Sequence, residues 1–139
     1  MSTAAGVSRF RNASCHECAV EAKATEKKSK ASAEAAYKGT IKAQTASRIA
    51  NADADLMVAK VACEAKTGTD KDVCVKQAQA TQVKRVADAK AHKTTVDAQA
   101  DAREDTRDAQ YKVALAKCDA VSGTDKDVCV VSAKSAYGK

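Results

Sequence analysis

The residues with the most chemical capacity lie near the start of the chain, at Cys15-His16-Glu17-Cys18. Two thiols spaced C-x-x-C at the head of a helix sit where the helix dipole favours thiolate. With His16 between them they can form a soft metal site (Cys15, His16, Cys18) or a redox pair. The plainer reading is a Cys15–Cys18 disulfide stapling the helix end, and a third is a disulfide to another molecule. No βαβ pattern surrounds the motif, so a thioredoxin-like reading lacks its scaffold. Haem attachment requires C-x-x-C-H, and residue 19 is alanine.

The other cysteines come in a repeated frame. Thr67-Gly68-Thr69-Asp70-Lys71-Asp72-Val73-Cys74 recurs as Ser122-Gly123-Thr124-Asp125-Lys126-Asp127-Val128-Cys129, and Cys63 and Cys118 precede the two copies at equal distance. If each copy is a helix–corner–helix, Cys63 and Cys74 face each other across one corner, and Cys118 and Cys129 across the other. Two disulfides follow, each worth about 2–3 kcal/mol in the chain-entropy account. The alternative is four reduced cysteines packed as small hydrophobes. A shared zinc site would need both corners at one end, whereas a returning chain puts them at opposite ends. Asp70/Asp72 and Asp125/Asp127 have calcium-loop chemistry but lack the loop length and distal glutamate of an EF-hand. They read better as helix caps, Thr69 with Asp72 and Thr124 with Asp127, matching Ser14 with Glu17.

The remaining candidates are weaker. His92 stands among lysines in mid-helix. Arg103-Glu104-Asp105-Thr106-Arg107-Asp108 reads as a salt-bridged exposed face, and Glu26-Lys27-Lys28-Ser29-Lys30 as a solvated basic patch. There is no Ser/His/Asp set, paired-carboxylate site or phosphate-cradling glycine loop, so neither an enzyme nor a cofactor is expected.

The elements that must position these residues are helices. The 139 residues include 32 alanines and no proline, and aromatics make up 3%. Such a composition favours long helices over a large core. The expected fold is all-α: a long antiparallel helical hairpin with a short third helix, its corners stapled by disulfides. A flexible tail over 1–13 would precede one elongated domain over 14–139, with helices at about 15–66, 70–121 and 125–137. The first helix would bury Ala33, Tyr37, Ile41, Thr45, Ile49, Ala52, Leu56, Ala59 and Cys63, with Gly39 as a weak interior point. The second would bury Val73, Ala80, Val83, Ala87, Ala91, Thr94, Ala98, Ala102, Thr106, Ala109, Val113, Ala116 and Ala120. Gly68 and Gly123 would end helices in the left-handed conformation. The starts at Cys18, Cys74 and Cys129 align as an internal repeat of coiled-coil-like helices.

No stretch has the roughly 18 apolar residues of a membrane span. Met1–Phe10 has no apolar export-signal core, yet paired cysteines point to an oxidising compartment. These are reconciled by a mature form whose leader has been replaced by a start methionine. The expected location is periplasmic, with the cytoplasm as alternative. The net charge of +6 is spread among interspersed acids, which argues against specific nucleic-acid binding and leaves a basic nucleic-acid or anionic-lipid binder as a third reading.

The corner Cys118-Asp119-Ala120-Val121-Ser122-Gly123-Thr124-Asp125-Lys126-Asp127-Val128-Cys129-Val130, its copy from Cys63, and the ending Tyr137-Gly138-Lys139 resemble exported Ala/Lys-rich Cys-hairpin proteins of Gram-negative bacteria, often labelled TolA-like. The resemblance covers about residues 18–139. It implies an exported, periplasmic helical protein with no assigned activity. The expected function is a non-enzymatic structural or interaction protein of the cell envelope, with a stress-related role as a narrower form. A protein partner or self-association as a dimer is expected, and a metal-binding or redox module at Cys15, His16 and Cys18 is the alternative.

Overall fold

The computed structural model describes the backbone over residues 4–139 and side chains from Cys15 onward. The described residues form four helices: α1 (Ala4–Lys38), α2 (Ile41–Cys63), α3 (Gly68–Cys118) and α4 (Thr124–Tyr137). The fold is all-α, and successive helices return antiparallel through short corners. Residues 1–3 of the expected tail lie outside the described residues, and helical backbone begins at Ala4. Ser14 therefore lies within α1, and the expected start at a Ser14–Glu17 capping box is not where this helix begins.

The sequence predicts one domain over 14–139. The chain divides instead into two compact units, Met1–Lys93 and Thr94–Lys139. The first holds α1, α2 and the opening part of α3; the second holds the rest of α3 with α4.

The largest departure from expectation is in the first unit. The helix read over 15–66 is two helices that fold back on each other at Gly39-Thr40. Gly39 adopts φ +61°, a left-handed conformation that costs a residue with a Cβ about 1–2 kcal/mol. Its amide donates to the Ala35 carbonyl at 3.0 Å, closing α1. Thr40 is extended at the N-cap of α2, and its Oγ1 accepts from the Ala43 amide at 3.2 Å. A glycine stop and a threonine start are thus fused in two residues.

That chemistry was expected at Gly68-Thr69 and Gly123-Thr124, where the outcome differs. Both glycines have positive φ, +56° and +64°, but they stand at the start of the following helix. Gly123 is the N-cap of α4 with ψ −146° and no side-chain cap hydrogen bond, so the Thr124–Asp127 capping box does not form. Its carbonyl instead accepts from the Lys126 amide at 3.1 Å. Thr69 is likewise already inside α3. The reason is the corner length. Four residues separate Cys63 from Gly68, and the reversal finishes in a glycine-only conformation before the helix begins.

The disulfides Cys63–Cys74 and Cys118–Cys129 close the corners, with Cα–Cα distances of 5.8 and 5.6 Å. Cys63 and Cys118 are the largest fully buried side chains among the described residues, and the rest of the buried apolar set is alanine: Ala24, Ala35, Ala52, Ala54, Ala89 and Ala133. Each buried methyl contributes only about 1 kcal/mol, so the cystines carry a large share of the tertiary stability. The expected stripe on α2 is correct: Thr45, Ala52 and Cys63 are buried, with Ile41, Ile49, Leu56 and Ala59 half-buried. Buried Thr45 satisfies its hydroxyl on the Ile41 carbonyl at 2.8 Å. Tyr37, placed on that stripe as if the helix were continuous, is 92% exposed beside the turn.

On α3 the expected stripe is the wrong face. Val83 is 63% and Val113 56% exposed. The face turned inward carries Val75, Ala78, Gln82, Val86 and Ala89 in the first unit, and Asp108, Tyr111, Leu115 and Cys118 in the second. Alanine is so frequent on α3 that two stripes of small residues compete, and the cystines select between them.

Polar contacts fix the register. Two aspartates of α2 each bridge both neighbours. Asp53 accepts from Gln82 of α3 at 2.8 Å and pairs with Lys27 of α1 at 3.8 Å. Asp55 pairs with Lys28 of α1 and Arg85 of α3. In the second unit, Tyr111 and Tyr137 stack at a tilt with ring centroids 6.1 Å apart. Lys139 reaches Asp108 at 2.5 Å, and Gly138 ends α4 at φ +65°. Within this unit the last helix thus lies against α3.

Candidate functional site

Cys15, His16 and Cys18 occupy one turn of α1, well inside the helix. Cys15 and Cys18 are free and exposed. The expected Cys15–Cys18 disulfide is therefore not formed. Residues three apart on a helix hold their Cβ atoms about 5–6 Å apart, whereas a disulfide needs about 3.8 Å.

The inward face of α1 runs through Val20, Ala24, Lys28, Ala31 and Ala35, of which Ala24 and Ala35 are buried. At 100° per residue, Cys15 and Cys18 fall on roughly the opposite face. His16 points elsewhere: its Nδ1 lies 4.0 Å from Glu64 Oε2, both side chains being more than half exposed. Glu64 directly follows Cys63, as Asp119 follows Cys118. Asp119 pairs within its own corner with Lys126 at 2.9 Å, while Glu64 turns to α1. The turn holding the free thiols therefore lies beside the α2–α3 corner. The two thiols share a face, His16 is drawn away from it, and no group of three or more metal-ligating side chains is assembled among the described residues.

The other candidates are placed as follows. Asp70, Asp125 and Asp127 are exposed in the first turns of α3 and α4, where acids complement the helix dipole, and Asp72 is exposed just beyond. His92 is exposed, as expected. Arg103 to Arg107 are exposed, while Asp108 is half-buried and tied to Lys139. The hydrogen bond from Lys139 holds the Asp108 carboxyl below its usual range. The basic patch is changed most: Lys27 and Lys28 turn onto Asp53 and Asp55. The hydrogen bond from Lys28, followed by that from Arg85, lowers the Asp55 pKa against the opposing effect of burial. Sequence reading missed Asp53 and Asp55 altogether. Their one signal was Asp-Ala-Asp within an otherwise uncharged run of α2 from Ile49 to Ala59.

No helix is long and apolar enough to cross a membrane among the described residues. No family model matches this chain, and no curated protein or solved structure is detectably similar to it.

Proposed function

We propose that this chain is a non-enzymatic structural or interaction protein of the bacterial cell envelope, working in the oxidising periplasm. The observation that carries the reading is the pair of corner cystines. With a core of alanine methyls, Cys63–Cys74 and Cys118–Cys129 are the strongest ties between helices, and such bonds persist where thiols are oxidised. A stress-related role fits a small chain held by covalent staples.

The metal or redox alternative has less support, because His16 leans to Glu64 and away from the thiols. The nucleic-acid or anionic-lipid alternative loses two cations of its best patch to α2 carboxylates.

The test is thiol trapping in living cells. Alkylation before lysis, followed by intact mass, should leave Cys63, Cys74, Cys118 and Cys129 unmodified. Alkylation of all four would place the working protein in a reducing compartment and end the envelope reading.

A further inference from the structure

We infer that Cys15 and Cys18 join two copies of this chain, with α1 lying parallel to α1 through Cys15–Cys15 and Cys18–Cys18 disulfides. The inference rests on the proposal that the chain works where thiols are oxidised. In such a place two exposed thiols that cannot reach each other along the helix are left to bond outward.

The chain itself shows how that bond is made. At Cys63–Cys74 and Cys118–Cys129 it brings neighbouring backbones to Cα–Cα distances of 5.8 and 5.6 Å. Because each Cα stands about 2.3 Å off its helix axis, that separation is compatible with the ordinary spacing of about 8–10 Å between axes, and small residues at the contact let two helices settle at it. The face of α1 carrying the free thiols continues as Ala22, Thr25, Ser29, Ser32 and Ala36, all exposed. The steps from Cys15 alternate three and four, the spacing of a coiled-coil seam. No charged residue falls on this lane, although α1 bears charge at nearly every other turn position, including Glu21, Lys23, Glu26 and Lys30. The lane is too polar to drive association by apolar burial. It is narrow and neutral enough to let a second backbone reach cystine distance, and the covalent bonds then hold it.

A second copy is the occupant that matches this lane along its whole length. In a parallel two-fold pair each position meets its own counterpart, so Cys15, Cys18 and every small residue after them align. An antiparallel pair centred on the thiols would set the lane against residues upstream of Cys15. Each bond forms by thiol–disulfide exchange with a small-molecule disulfide. One Cys thiolate attacks a reagent sulfur and expels a thiolate. The same cysteine of the second copy then attacks the mixed disulfide at the protein sulfur and expels the other. Two cysteine thiols are oxidised, and one reagent disulfide is reduced to two thiols.

The full chain, equilibrated in a buffer of oxidised and reduced glutathione, should show a doubled intact mass that reverts on reduction. Cys15→Ser and Cys18→Ser should each still dimerise through the remaining cysteine, and the double variant should stay monomeric. Thr25→Glu with Ser32→Glu, which put charge into the lane and leave both thiols, should lose the dimer. A monomer carrying only glutathione adducts or a Cys15–Cys18 bond overturns the inference, as does a single-cysteine variant that stays monomeric. A lane variant that dimerises like the parent overturns the α1–α1 geometry. Corner cystines that fail to form in the same buffer would count against the oxidising-compartment reading. Intact corners with no dimer would count against this inference alone.

Discussion

Arg85 of α3 donates to the carboxylate of Asp55 in α2, the same carboxylate that accepts from Lys28 of α1. One acid in the middle helix thus fixes the register of both neighbours. Small alanine faces fit one another in several registers, so a charge shared three ways supplies the selectivity that side-chain shape does not.

Asp55→Asn should lower the stability of the first unit by about 1 kcal/mol or less, because the carboxylate is partly exposed and screened by water and salt. The pH dependence has a definite sign. The folded pKa lies below the ordinary value of 3.8, so the stabilisation is present above that value and is lost as the pH falls through the folded value. Thermal unfolding of parent and variant should differ at neutral pH and converge once the pH has fallen below the folded value. A difference that widened on acidification would remove the shared carboxylate as its source.

Gly39→Ala distinguishes a turn from a helix interior by sign. In a continuous helix the change would stabilise by about 1 kcal/mol. At φ +61° it should destabilise by about 1–2 kcal/mol, since a Cβ meets no other atom within 4 Å and only backbone strain is felt. Thr40→Ala should add about 1 kcal/mol through the lost cap. Chemical denaturation of the two variants decides the question.

Paired aspartate substitutions read the phase of α3. Val83, 63% exposed, should accept aspartate within about 0.5 kcal/mol. Ala89, 3% exposed, should not, since a carboxylate there must be taken out of water, which costs more than about 1 kcal/mol even with Arg48 and Arg85 lining the same recess. Equal melting temperatures for Val83→Asp and Ala89→Asp would contradict the assigned face.

Removing the second cystine, with Cys118→Ser and Cys129→Ser together, should cost about 3 kcal/mol and act locally. The 14 residues of α4 are near the length at which a helix is marginal alone. Hydrogen exchange should accelerate over α4 and stay slow over α2. Uniform acceleration across both would mean that the two units do not open independently.

The all-α fold, the two cysteine-flanked corners and both cystines were legible in the sequence, because glycine punctuation and cysteine spacing are local signals. The α2 part of the first expected stripe, Ile41 to Cys63, holds, while its α1 members Ala33 and Tyr37 are exposed. On α3 the count began at Val73 and ignored Cys74 and Cys118, and alanine on every side offered a false stripe. Gly39-Thr40 carries the same dipeptide as the other two corners, yet without a nearby cysteine it read as a weak point in a helix. The free state of Cys15 and Cys18 was not legible, because it depends on α1 beginning upstream of Ser14.

Every residue of α3 from Ala98 to Arg107 is exposed, and each cystine closes within its own unit, Cys63–Cys74 before this stretch and Cys118–Cys129 after it. A protease that opens this bare stretch at Arg103 or Arg107 therefore makes a nick that no disulfide spans. Brief trypsin treatment under denaturing, non-reducing electrophoresis should release two fragments, each still internally cross-linked. The staples that secure each unit give the chain no covalent insurance against being cut in two.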